Sequence, residues 1–114
     1  MTSGIDIKLR IPYRGVYALG PGKADLLEAI ITTGSISAAA KSMGMSYKRA
    51  WDLVNTMNTS FKQSLVTTAT GGSHGGGAAV TDFGKKVLTH YRHIQQLANE
   101  ATHQEAEALC DLLR

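Results

Sequence analysis

Tyr47, Lys48 and Arg49 stand side by side, and Asn55 follows Lys48 by seven residues. On a helix that interval is two turns, so Lys48 and Asn55 share a face and Arg49 flanks it. An arginine there can donate two parallel hydrogen bonds to a guanine edge, an asparagine can match adenine or touch a phosphate, and an ammonium or phenol can meet a phosphate oxygen. Ser46 precedes the set and can both cap the helix and donate to a phosphate. Ser35 and Lys41 offer a hydroxyl and an ammonium of the kind that position a protein on a nucleic-acid backbone without reading sequence. Ser73 and His74 are the side chains of any reach in the glycine-rich run from Gly71 to Gly77. These nine residues are the candidate DNA-binding set. Trp51 flanks an apolar stripe and is assigned to packing.

Other chemistries lack their residues. The glycine run does not have the Gly-x-x-x-x-Gly-Lys-Ser/Thr spacing of a nucleotide loop. His90, His93 and His103 with Cys110 suggest a metal, but only His90 and His93 are suitably spaced, and no carboxylate stands near to orient them. They read as exposed helical histidines. No Ser-His-Asp, Cys-His or paired-carboxylate arrangement stands out. The expectation is a protein without enzymatic activity, resident metal or cofactor.

The chain has 114 residues, 43% hydrophobic and 18% charged, which fits one domain with a small core. A domain of this length buries roughly two thirds of the surface its unfolded chain exposes, so a partner subunit is a natural source of further burial. The single cysteine excludes an intramolecular disulfide and a thiolate zinc site, which fits a reducing cytoplasm. No run of about 18 apolar residues exists to span a bilayer, and the N-terminal region lacks the basic start, apolar stretch and cleavage site of a secretory signal. Neither membrane association nor export is expected. The formal charge is +3, but Glu100, Glu105, Glu107 and Asp111 crowd the tail. The body before them is distinctly basic, the electrostatic footprint of a nucleic-acid binder.

Alternating apolar and charged residues from Ile5 to Ile11 predict a half-buried strand closed by Pro12. Arg14 to Gly22 is loop. A helix from about Lys23 to Thr33 carries Leu26, Leu27, Ile30 and Ile31, with Gly34 stopping it. Ser35 caps a second, short helix whose Ile36, Ala39, Ala40 and Met43 share a face, and Gly44 permits a sharp turn. Ser46 caps a third helix with an apolar stripe of Ala50, Leu53, Val54 and Met57, continuing to Phe61. Leu65–Thr70 and Ala78–Thr81 form a hairpin around the glycine tip. Thr81 caps a last helix on which Val87, Tyr91, Ile94, Ala98 and Ala101 recur at spacings of four and three, a dimerisation seam. Phe83 and Leu88 widen its early part, which should pack on its own domain. Thr102 to Ala108 is polar, and Leu109, Leu112 and Leu113 form a final apolar patch.

This order predicts a mainly α fold with a small β-sheet, a winged helix-turn-helix with a long C-terminal dimerisation helix. The expected organisation is one domain over residues 1–114. Its parts are an N-terminal strand (5–11), a three-helix core (23–61) with the helix-turn-helix at 35–58, a wing hairpin (65–81), and the dimerisation helix and tail (82–113).

The segment Gly34-Ser35-Ile36-Ser37-Ala38-Ala39-Ala40-Lys41 resembles the helix-turn-helix shared by LysR-type and molybdate-responsive, ModE-type regulators. The continuation Met45-Ser46-Tyr47-Lys48-Arg49-Ala50-Trp51-Asp52-Leu53-Val54, then Met57-Asn58, the glycine tip, and Thr81 to Gly84 resemble the ModE-type DNA-binding domain more closely. A LysR-type chain usually has a Ser-Gln-Pro-like start where this one has Ser-Tyr-x-x-Ala-Trp. The resemblance covers about residues 5–98. It implies a homodimeric, bacterial-type transcriptional regulator whose recognition helices enter successive major grooves of double-stranded DNA at a pseudo-palindromic operator. It also implies a link to molybdenum or oxyanion metabolism, with molybdate as a candidate effector. The family's oxyanion-binding region has no counterpart in this sequence, so a stand-alone DNA-binding form is expected. Two other readings are a small oxyanion carrier using the glycine tip as an anion nest, and a heterodimer partner of a full-length regulator.

Overall fold

Where a strand forms depends on which backbone can come back to pair with it. Arg14 and Gly15 both adopt positive φ, 48° and 84°, the two-residue turn that matches the twist of a hairpin. It joins β1 (Ile11–Tyr13) to β2 (Val16–Leu19), with Tyr13 opposite Val16. The computed structural model describes residues 4–69 and 77–114, and over 5–10 it contains no strand. The strand expected over 5–11 is thus corrected to Ile11–Tyr13, and Pro12 lies within it rather than ending it. Pro12 is tolerated because a two-stranded ribbon is all edge. Residues 4–10 instead run beside the last helix. The Tyr91 hydroxyl donates to the Leu9 carbonyl at 2.7 Å, and a Cβ on Gly4 would stand 3.3 Å from Cys110 Sγ.

Three helices build the core. α1 (Pro21–Thr33) begins with proline at its first position, where the missing N–H is no loss, two residues ahead of the expected Lys23. It ends at Gly34, whose φ of 75° is the left-handed cap that lets its N–H reach the Ile30 carbonyl at 2.8 Å. α2 (Ile36–Ser42) is capped by Ser35, whose hydroxyl oxygen accepts from the Ala38 amide at 2.8 Å. After the turn at Gly44, α3 (Tyr47–Ser60) is capped by Ser46. Leu26, Leu27 and Ile30 from α1, Ala39 and Ala40 from α2, and Ala50, Val54 and Met57 from α3 form the buried centre. The alanines leave room for the helices to approach closely.

β3 (Val66–Ala69) and β4 (Gly77–Val80) pair antiparallel from Val66–Val80 to Ala69–Gly77. They form the wing. Its tip, with Ser73 and His74, lies outside the described residues. The Ala78 amide donates to the Gly34 carbonyl at 2.9 Å, tying β4 to the end of α1. Asn58 ties the wing to α3: its Oδ1 accepts from the amides of Leu65 (2.8 Å) and Val66 (3.1 Å), and its Nδ2 donates to the Val66 carbonyl (3.0 Å).

α4 (Asp82–Cys110) starts at Thr81, whose oxygen accepts from the Gly84 amide at 2.9 Å while its hydroxyl donates to the Ser64 carbonyl at 2.8 Å. Its 29 residues span about 44 Å at 1.5 Å each. Leu88 and Tyr91 pack into the core, and Arg92 bonds Asp25 and Glu28 of α1. Beyond that point α4 extends past the three-helix core, with the N-terminal segment reaching Cys110 alongside it and Ala106 buried. The molecule extends 57 Å in its longest direction, and its radius of gyration of 16.6 Å exceeds the roughly 13 Å of a compact domain this size. Among the described residues, no helix is long and apolar enough to cross a membrane.

Candidate nucleic-acid interface

α3 presents to solvent the face that its sequence pattern predicts. Tyr47, Lys48, Arg49, Asp52 and Asn55 are exposed, while Ala50, Val54 and Met57 on the opposite side are buried. Ser46 accepts from the Arg49 amide at 3.1 Å, which fixes the first turn and the directions in which Tyr47, Lys48 and Arg49 leave it. The Trp51 indole N–H donates to the Tyr47 hydroxyl, and the rings meet edge to face at 6.3 Å and 78°. Trp51 is half-buried against the core, so its indole N–H anchors the exposed Tyr47 hydroxyl. Having accepted one hydrogen bond, the hydroxyl keeps its own proton for an outside acceptor.

Lys48 is ion-paired with Asp52 at 3.1 Å across one helical turn, with both side chains well exposed. A pair in that setting is worth little to stability, so its weight falls on what the face can bind. Arg49 lies at the margin of the face and also lines a cleft against the N-terminal segment and the start of α1. Beside it, burial and then the proximity of Arg49 hold the Lys23 ammonium below the ordinary lysine range.

The structure brings Ser46, Tyr47, Lys48, Arg49 and Asn55 together on one helix. Ser35 and Lys41 sit at opposite ends of α2, which packs on α3. The seam residues divide. Ile94 (44% exposed) and Ala101 face solvent, and Val87 and Ala98 are half-buried. Tyr91 is 2% exposed and belongs to the core of its own chain. Leu97, 51% exposed, takes its place beside Ile94 and Ala101. Sequence reasoning passed over Leu97 because one starting register also fitted Val87 and Tyr91. It also missed Lys8, Arg10 and Lys23, which converge only when the hairpin folds back onto α1 and α3.

The comparisons with known proteins agree with this architecture. The family model described as "Bacterial regulatory helix-turn-helix protein, lysR family" matches residues 23–85, from the start of α1 into α4. The chain is 43% identical over 81 residues to the DNA-binding transcriptional dual regulator ModE of Escherichia coli K12, covering 71% of this chain and 31% of that protein. It is 48% identical over 77 residues to the molybdenum-pterin-binding protein MopB of Rhodobacter capsulatus, covering 68% and 28%. The chain thus spans about a third or less of the length of these relatives. Among solved structures, the fold matches the DNA-binding domain in a CbnR–DNA complex, with a TM-score of 0.58 and 19% identity over 77% of this chain and 95% of that one. Full-length LysG from Corynebacterium glutamicum gives a TM-score of 0.57 at 22% identity, over 81% of this chain and 30% of that one. This chain belongs to the family of bacterial regulatory helix-turn-helix proteins of the lysR type, and it is also similar to ModE regulators over about 80 residues.

Proposed function

We propose that the chain is a sequence-specific, double-stranded DNA-binding transcriptional regulator rather than an enzyme, acting in the cytoplasm as a homodimer on a pseudo-palindromic operator. The observation that carries this reading is the exposed, N-capped face of α3, where Lys48, Arg49 and Asn55 project from a helix whose other side is anchored in the core. A helix so placed fits a major groove, with its first turn nearest the base edges. Ser35 and Lys41 on α2, and Ser73 and His74 at the wing tip, are assigned to the phosphate backbone. The names of the relatives support regulation as the role and molybdenum as the metabolic context, with molybdate the first effector to try.

The partner proposed for α4 is a second copy of this chain. Ile94, Leu97 and Ala101 recur at the spacing of a helix–helix seam on a helix that extends past its own core, with Val87 and Ala98 beside them. Two recognition helices held this way would meet grooves about one DNA turn, roughly 34 Å, apart.

Selection of genomic fragments by the purified protein, followed by fluorescence anisotropy on the enriched duplex, tests this reading. One palindromic site is expected, with log K falling against log salt at a slope near −7 if a dimer neutralises about eight phosphates. Lys48→Ala or Arg49→Ala should cost about 1 to 3 kcal/mol of binding and relax preference at one base pair if the residue reads a base. Affinity unchanged in both variants removes the proposed recognition face. Adding molybdate tests for an oxyanion response.

A further inference from the structure

A second gathering of cations, which shares Arg49 with α3, lies next to the exposed face of that helix. A cleft of about 310 Å³ opens between the N-terminal segment, β2, the beginning of α1 and the side of α3. Lys8, Arg10, Lys23 and Arg49 line it, with Tyr17 and Leu53 among its walls, and none of its lining residues is acidic. Arg10 is held over the Tyr17 ring, 5.3 Å from its centroid, which orders the guanidinium without neutralising it. Gly20 caps α1 with no side chain, so no side-chain acceptor meets the first-turn amides at the cleft's edge. Burial first, and then the nearby Arg49 guanidinium, hold the Lys23 ammonium below the ordinary lysine range. Four cations in one cleft, none ion-paired among the described residues, describe a site whose missing component is an anion.

Arg49 identifies the anion's source. It belongs both to the margin of the exposed α3 face and to this cleft, so the cleft lies alongside whatever groove α3 enters. A major groove is walled on both sides by sugar-phosphate backbone. We infer that the cleft formed by Lys8, Arg10, Lys23 and Arg49 is a phosphate-binding site that grips the DNA backbone beside the groove occupied by α3. The inference rests on the DNA-binding reading and extends it to the N-terminal segment and the start of α1, which become a further backbone clamp on the side of α3 away from Tyr47 and Trp51.

The test uses the whole chain carrying Arg10→Gln and Lys23→Gln together, which remove the charge while keeping a polar, unbranched side chain, leaving Arg49 in place. Binding to the selected operator and to a scrambled duplex of equal length is followed by anisotropy from 0.05 to 0.3 M salt, with thermal melting as the check on folding. The expected result is an unchanged melt, a loss of about tenfold or more on both duplexes alike, and a salt slope shallower by about one unit per protomer. A loss confined to the operator would make these residues base readers and overturn the inference. So would an unchanged affinity and slope, with the α3 reading left intact. If those are unchanged while the Gly22 and Lys23 amide resonances of the wild type shift with inorganic phosphate at constant ionic strength, the cleft serves a free oxyanion and the DNA assignment falls. Absence of wild-type binding to both duplexes overturns the DNA-binding reading itself, and this inference with it.

Discussion

Two residues that touch no ligand decide whether the wing can be held at all. Asn58 supplies β3 with the donor and acceptors that a neighbouring strand would otherwise provide, through three hydrogen bonds to Leu65 and Val66. Replacing it with alanine strands two amides and a carbonyl in a half-buried place, and should cost about 1 to 3 kcal/mol in urea unfolding. Asn58→Asp keeps the acceptor but sets an anionic oxygen against the Val66 carbonyl, so it should destabilise as well; a variant as stable as the wild type would show that the latch is not the cause. Gly84 is constrained differently. A Cβ there would run into the Leu65 carbonyl and lie 2.8 Å from Val80 Cγ1, and at least one of those contacts is with backbone that cannot swing away. Gly84→Ala should therefore destabilise by about 1 to 3 kcal/mol, read in the same unfolding experiment. The caps Ser35, Ser46 and Thr81 were legible in the sequence because each side chain serves an amide three residues on. Asn58 was not, because its partners stand seven and eight residues away, across a chain reversal that no local pattern records.

At the scale of elements, α3, the proposed recognition helix, carries its own counter-ion. Asp52 neutralises Lys48 in the free protein, and on a DNA-facing surface its carboxylate repels phosphate unless it accepts from a base such as cytosine. Asp52→Asn should tighten binding to an arbitrary duplex several-fold, leave stability within about 0.5 kcal/mol, and weaken discrimination between operator and scrambled DNA. Anisotropy on the two duplexes checks this, and a parallel gain on both would remove any role of Asp52 in selectivity. The helices themselves were legible, since stripes of period 3.6 with serine caps and glycine stops coincide with α1, α2 and α3 within a residue or two. The N-terminal strand was misread for a physical reason. Period-two alternation reports which side chains are covered, and Ile5 and Leu9 are indeed half-buried while Ile7 is 37% exposed. Strand pairing needs a second backbone, and the Arg14-Gly15 turn returns only Val16–Leu19 alongside Ile11–Tyr13. Tyr91 was misplaced similarly, because an apolar residue at helical spacing is the same letter whether it faces its own core or another chain.

At the scale of the molecule, the long arm of α4 needs explanation, because the chain covers only part of its distal turns, Ala106 among them. Leu88 and Tyr91 use one side of the helix for the core, and the Ile94, Leu97 and Ala101 side is left to water. Exposing such a stripe is unfavourable by roughly 25 cal/mol for each Å² of apolar surface, and a second copy of the same helix would remove it from water on both chains at once. Leu97→Asp places a charge at the centre of that stripe. Because Leu97 is half exposed within the chain, the protomer fold should survive, with near-native circular dichroism. Sedimentation equilibrium should then give a dimer for the wild type and a monomer for the variant. Binding to a single half-site should change little, whereas binding to the full palindrome should fall by the far larger factor that comes from losing one of two linked contacts. A variant that stays dimeric with unchanged palindrome affinity would place the interface elsewhere, with the exposed Leu109 in the last turn of α4 and Leu112 and Leu113 just after it as the next surface to substitute.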